Sequence, residues 1–362
     1  MIARISAPRC TMIRSEGGPR PCIQDGRPLS RQLQLHMIKT ARKWLTRRVG
    51  ITFAATALIA LSACKRGPTA IAVIPRACGT ALWEPEHSGA AEAARARGMT
   101  VYWNAPTRPH DVQKQIALLE KVVALHYGGI VLAPDETLAL RTPIKNALAT
   151  HIPIVVVGTE LGIDPASNLS YVLNDEVAGG RMAARRLGLI LNGQGAVAIV
   201  GLDPKLKSMS LRDRSFEDTL ASEFPRIRVI ARRPGQASAA QEQETTGELL
   251  QSGTTLDALV ALSADATRGA YYALIESNRA GMIHLIGFDQ DLLPPIRNGG
   301  LDSVVAQDTS EIGRLAITQI DGRLHGAQVP EKLMVQPKLL TRENIDSPEM
   351  REVLTAHWWE GQ

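Results

Sequence analysis

Aromatic residues are scarce in this chain of 362 residues. Its 5 Trp, 5 Tyr and 4 Phe make up 4% of the sequence, so each one carries more information than usual. Long apolar runs are missing too. The greasiest, Val49 to Leu61, is about 13 residues, too short to cross a hydrocarbon core of about 30 Å comfortably as a helix. Catalytic signatures are equally absent: no phosphate-cradling glycine loop ending in Lys-Ser/Thr, no HExxH and no paired CxxC. Gly193 and Gly195 frame an isolated Gly-Gln-Gly, too little for a dinucleotide fingerprint. The 8 histidines are scattered, which leaves no visible metal cluster. Ser208, Ser210 and Asp213 stand without a nearby general base, so nucleophilic catalysis has no support. The expectation is a protein that is not an enzyme and needs no cofactor. Positive charge is also less than it looks. The net charge is +5, but residues 1–63 hold 11 of the 41 Lys and Arg and 2 of the 36 Asp and Glu. The remainder carries about −4, which removes the case for nucleic-acid binding.

What is present begins with Met37 to Cys64. Lys39, Arg42, Lys43, Arg47 and Arg48 form a basic run, the apolar stretch follows, and Leu61-Ser62-Ala63-Cys64 ends it. That order is the n-region, h-region and small-residue cleavage site of a signal peptide. The terminal four residues resemble the lipobox of bacterial lipoproteins. The resemblance implies that residues 37–63 are removed and that the Cys64 thiol is acylated. Residues 1–36 are rich in Arg, Pro and Gly without apolar periodicity; they read as an upstream mis-start or a disordered basic arm. Of the four cysteines, Cys10 and Cys22 precede Met37 and Cys64 would carry lipid, so Cys78 has no partner for an internal disulfide.

Beyond the leader, short Val/Ile/Leu runs alternate with amphipathic stretches. Strands are expected at Ala70–Ile74, Thr100–Trp103, Gly129–Ala133 and Ile152–Val157, with helices near 86–97, 112–126 and 138–150 between them. The theme then repeats. Strands at Ala196–Val200, Ile227–Ala231, Ala258–Leu262, Ile283–Gly287, Ser303–Ala306 and Lys332–Gln336 follow or precede helices near 179–191, 214–223, 239–251 and 267–280. Continuous apolar strands suit sheets covered by helices on both faces. Interleaving means βαβ units, so the predicted fold is α/β, two doubly wound Rossmann-like lobes with mostly parallel sheets. Ligands of such sheets bind beyond the strand carboxyl ends, which two lobes would bring face to face across a cleft.

Particular segments narrow this further. They are Ala72-Val73-Ile74-Pro75 with Leu82-Trp83, Gly128-Gly129-Ile130-Val131-Leu132-Ala133-Pro134, and Ile152-Pro153-Ile154-Val155-Val156. Next come Asn174-Asp175-Glu176-Val177-Ala178-Gly179-Gly180-Arg181, Ile286-Gly287-Phe288-Asp289, Val305-Ala306-Gln307-Asp308 and Leu340-Thr341-Arg342-Glu343-Asn344-Ile345. In that order and spacing, from about Ala70 to Leu354, the chain resembles the type I periplasmic sugar-binding proteins, the ribose/galactose-binding group that shares its fold with lac-repressor-like ligand domains. The resemblance implies a multi-strand hinge joining an N-terminal lobe, 69–173 plus 308–336, to a C-terminal lobe, 174–307 plus 337–362. It implies the substrate-binding protein of an ABC importer, lipid-anchored in the periplasm or on the outer face of the cell envelope, monomeric, with a membrane permease as partner and a sugar, polyol or similar molecule as ligand. A ligand-sensing receptor for chemotaxis or two-component signalling is the alternative on the same fold.

The resemblance also implies site residues. Trp83 would stack on a sugar ring or else pack its loop onto the core; Glu84 and Glu86 would accept hydroxyls or merely open a helix. Asp289 would accept ligand hydroxyls, Gln307 would offer its amide, and Arg212 its guanidinium fork, with Arg214 as rival. Asn174 and Asp175 sit at the lobe crossover, where an N-cap role competes with a ligand role. The family often has Asp-Arg after the fourth strand. Here Gly158 and Thr159 match, with Glu160 next, and Ser263, close to Asp265, replaces an expected Asn. These departures argue against assuming ribose or galactose. Cys78, in the loop after the first strand, reads as a loop filler rather than a reactive thiol.

Overall fold

A computed structural model describes residues 68–108, 110–236, 238–290 and 292–355; the leader and Cys64 lie outside them. The first lobe starts with β1 (Ala70–Ile74), α1 (Glu84–Arg95), β2 (Thr100–Trp103), α2 (Val112–Ala124), β3 (Gly129–Leu132), α3 (Thr137–Leu148), β4 (Ile154–Val157) and β5 (Leu169–Asn174). The chain then builds the second lobe from α4 (Glu176–Ile190), β6 (Gln194–Leu202), α5 (Lys207–Glu223), β7 (Arg226–Pro234), α6 (Ala239–Gln251), β8 (Ala258–Ala261), α7 (Ala264–Glu276), β9 (His284–Phe288), α8 (Leu293–Asn298) and β10 (Ser303–Ala306). It returns to the first lobe for α9 (Thr309–Leu324) and β11 (Lys332–Val335), and ends in the second with β12 (Lys338–Thr341) and α10 (Pro348–Leu354).

The strand orders are β11-β5-β4-β3-β1-β2 and β12-β10-β9-β8-β6-β7. All neighbours are parallel except β10 and β12. The inner strands of each sheet are buried on both faces because they are apolar on both, whereas the edge strand β7 alternates arginines toward solvent. Ile71 and Val73 pack with α1 and α9, whereas Ala72 and Ile74 pack with α2 and α3. In the second lobe Val197 and Ile199 meet α4 and α5, and Ala198 and Val200 meet α6 and α7. Alternating Cβ directions deliver successive residues to opposite cores.

The chain passes between lobes at Asp175, at Gln307–Asp308 and at Gln336–Pro337. These strands are laced together: Asp175 N donates to Val335 O at 2.8 Å, and Gln336 Nε2 donates to Asp175 Oδ2 at 3.0 Å. Two elements differ from the sequence expectation in kind. β5 and β12 had not been anticipated, because Leu169–Asn174 and Lys338–Thr341 mix polar residues into their apolar runs. Helix α5 also begins at Lys207 rather than near Arg214, since its Lys-Ser-Met-Ser start has no apolar period.

Candidate functional site

Loops at the carboxyl ends of both sheets meet along one rim. Thr137 Oγ1, at the start of α3, donates to Lys205 O at 2.6 Å, and Ser208 N donates to Thr159 Oγ1 at 3.4 Å. Glu160, after β4, pairs with Lys207 of α5 and with Lys332 of its own lobe. The lobes are thus closed on one another, with polar side chains between them.

Arg212 is the centre of the second lobe's share. It is 2% exposed on α5, brought against α4 by Gly180, where a Cβ would fall 2.1 Å from Arg212 O. Each of its three guanidinium nitrogens makes one bond, which leaves one N–H on each Nη. Nε donates to Glu176 Oε2 at 2.7 Å, Nη1 to Leu262 O at 2.6 Å and Nη2 to Asp289 Oδ1 at 3.4 Å, while its carbon lies 4.2 Å above the Phe288 ring. Burial works against this cation, but Asp289 and Glu176 together hold its pKa above the ordinary arginine value. Burial raises the Glu176 pKa, with Arg212 pulling the other way. Removing one member of such a buried set leaves an uncompensated charge, which typically costs about 3–5 kcal/mol.

Asp289 follows β9 with φ of 62°, a left-handed conformation that Asp tolerates better than most residues. It is 6% exposed and accepts from Gln307 Nε2 at 2.6 Å. Gln307 in turn is positioned by Gln290, whose amide exchanges two bonds with the Gln307 backbone, at 2.7 and 3.0 Å. Sequence reading placed Arg212, Asp289 and Gln307 separately; the fold joins them. It missed Glu176 and Gln290, although Glu176 stands within the crossover segment already singled out.

The other expected residues divide. Asn174 is buried beside Glu176, with its Oδ1 unpartnered. Asp175 caps α4 through Ala178 N at 2.9 Å, and Ser263 caps α7 through Ala266 N at 3.1 Å, so both have helix-capping work. Arg214 is a surface charge, 3.9 Å from Asp218. Trp83 is buried in the first lobe's core with Ile71, Val73 and Val157, and the Arg76 guanidinium lies 5.9 Å from its ring centre. Glu84 ties its loop by accepting from Gly79 N. Glu86 is 1% exposed, both carboxyl oxygens lack a partner, and burial pushes its pKa up to about 8 against the pull of Arg76. Cys78 is exposed, but partial desolvation and then Glu84 raise its thiol pKa, which disfavours the reactive thiolate.

Two further charged residues face this rim from the first lobe. Arg76 follows β1, and Asp135 follows β3. Burial lowers the Arg76 pKa, while Asp135, Asp289 and Glu176 act on it in the opposite sense from beyond ion-pair distance. His110 Nδ1 lies 3.4 Å from Asp135 Oδ1, and that bond raises the histidine pKa. A polar charged residue directly after an apolar strand was the signal that could have found both. A surface groove of about 460 Å³ lies elsewhere. It is lined by Gln243, Glu244, Glu248 and Glu276 of α6 and α7, and no residue of the first lobe reaches it.

Residues 71–328 match the model of the periplasmic binding protein domain. The ribose import binding protein of Bacillus subtilis is 26% identical over 257 residues, covering 70% of this chain and 81% of that protein. A sugar-binding protein of a sugar ABC transporter from Bacillus halodurans superposes with a TM-score of 0.71 at 27% identity, covering 76% of this chain and 99% of the other. An ABC transporter solute-binding protein from Agrobacterium vitis, solved with α-D-tagatopyranose, gives 0.72 at 24% identity over 79% of this chain and 98% of its own. With two doubly wound lobes, a laced hinge and a polar rim between the strand ends, this chain belongs to the periplasmic binding protein family.

Proposed function

We propose that this protein captures a sugar or sugar-like molecule between its lobes and delivers it to the membrane permease of an ABC importer. The observation that carries the reading is the buried set Glu176–Arg212–Asp289, with half-buried Gln307 bonded to it, beside the hinge. Such groups recognise hydroxyls, whose oxygen accepts from guanidinium or amide and whose proton goes to carboxylate. The relatives named for ribose import and for sugar transport support the same ligand class. Ligand groups that bridge both lobes select the closed arrangement, which the permease then meets. Trp83, Asn174, Asp175, Ser263, Asp289, Gln307 and Arg212 remain the proposed ligand shell, with Trp83 as apolar floor.

A thermal-unfolding screen against monosaccharides and polyols tests this. A ligand at 100 times its Kd adds about 2.7 kcal/mol, which moves the transition by several degrees. No shift across the panel would sink the reading. We also propose that Cys64 carries a lipid anchor in the periplasm. Labelling with a palmitate analogue should vanish in Cys64→Ser; retained label would refute the anchor.

A further inference from the structure

Strand order in the first sheet reverses at β1, which has β2 on one side and β3 on the other. The crevice outside the carboxyl ends at such a reversal is where doubly wound sheets hold ligands. Arg76 and Asp135, following β1 and β3, flank it. Arg76 Nε donates to Pro134 O at 2.9 Å, which pins the guanidinium next to Asp135. Its Nη groups have no hydrogen-bond or ion-pair partner among the described residues. Asp135 N is held by Gln115 Oε1 at 2.9 Å and Oδ1 faces His110, but Oδ2 is buried without a partner. Gly158, after β4, leaves the third side open. A Cβ there would lie 3.7 Å from Arg76 Nη2 and 3.9 Å from the Trp83 ring, and its φ of 76° disfavours a side chain.

An unused fork of donors beside an unused acceptor is what two neighbouring hydroxyls would satisfy. We infer that Arg76 and Asp135 are the first lobe's ligand-holding pair and that they select an uncharged ring bearing adjacent hydroxyls. The inference rests on the sugar-binding reading and names its ligand chemistry. Where the resemblance expects an acid and a guanidinium on consecutive residues after β4, this chain has Gly158 and Thr159 and carries the two groups on the loops after β1 and β3. Charge makes the choice of a neutral ligand. Arg76 and Arg212 face Asp135, Asp289 and Glu176, with His110 beside Asp135, so no surplus positive charge remains to draw in an anion.

Calorimetric titration of the full chain with D-ribose, D-galactose and D-glucose, and with D-galacturonate, tests this. The wild type should bind a neutral sugar. Arg76→Gln and Asp135→Asn should each weaken that sugar at least about tenfold while the unliganded melting profile stays cooperative, and the double variant should lose less than the product. Deoxy forms of the same sugar titrated into wild type need no variant: loss of one of two adjacent hydroxyls should reproduce the Asp135→Asn deficit. Unaltered binding by both variants, or tighter binding of D-galacturonate than of D-galactose, overturns the inference and leaves sugar binding standing. Heat from none of these compounds overturns both.

Discussion

Arg212 and Glu86 are both buried ionisable residues, and their neighbours give them opposite fates. Arg212 is matched by two carboxylates and stays charged. Arg212→Met should therefore destabilise the fold by about 3–5 kcal/mol, because Glu176 and Asp289 are left facing one another; urea unfolding measures it, and a loss below about 1 kcal/mol would mean the network is solvated. Glu86 has no bonded partner, and its pKa climbs from 4.5 to about 8. The native state then keeps a proton that the unfolded chain releases, so stability drains away as pH rises from about 4.5 to about 8. Glu86→Gln keeps the shape without the titration. It should melt several degrees above wild type at pH 9 and close to it at pH 4. An equal offset at both pH values would contradict the assignment.

Helix pairing is where the elements control the site. α4 and α5 cross so closely at Gly180 that an added Cβ would fall 2.1 Å from both Arg212 O and Ser215 Oγ. Gly180→Ala should cost about 1–3 kcal/mol and push Arg212 out of register with Asp289. Gly247, on α6, is the control, since a Cβ there meets nothing within 4 Å. Gly247→Ala should gain about 0.5–1 kcal/mol through helix propensity alone. Denaturant midpoints of the two variants should move in opposite directions; matching losses would show that the crossing does not limit α4.

Closure belongs to the whole molecule. Glu160–Lys207 and the bond from Thr137 to Lys205 O join the lobes at an exposed rim, where such contacts contribute about 0–1 kcal/mol each. Lys207→Ala should thus leave the melting temperature unchanged, enlarge the radius of gyration in X-ray scattering of the unliganded protein, and weaken ligand by a factor of up to about five. An unaltered radius would mean that the hinge strands, not the rim, set the angle. Much of this architecture was legible in the sequence. Continuous apolar strands at helical intervals specify two doubly covered sheets, because backbone pairing and two-sided burial depend on local pattern. Asp289 and Gln307 stood out as polar residues at strand ends, and Arg212 through the family resemblance. Their union, the recruitment of Glu176 and Gln290, and the placing of Arg76 near Asp135 did not stand out. Those depend on which strands become neighbours and on how three crossings stack the lobes. β5 and β12 likewise became strands only through the partners that bury them. Local composition determined the elements and their solvent-facing sides; long-range packing decided which charges meet, since charge pairing acts across space and not along the chain.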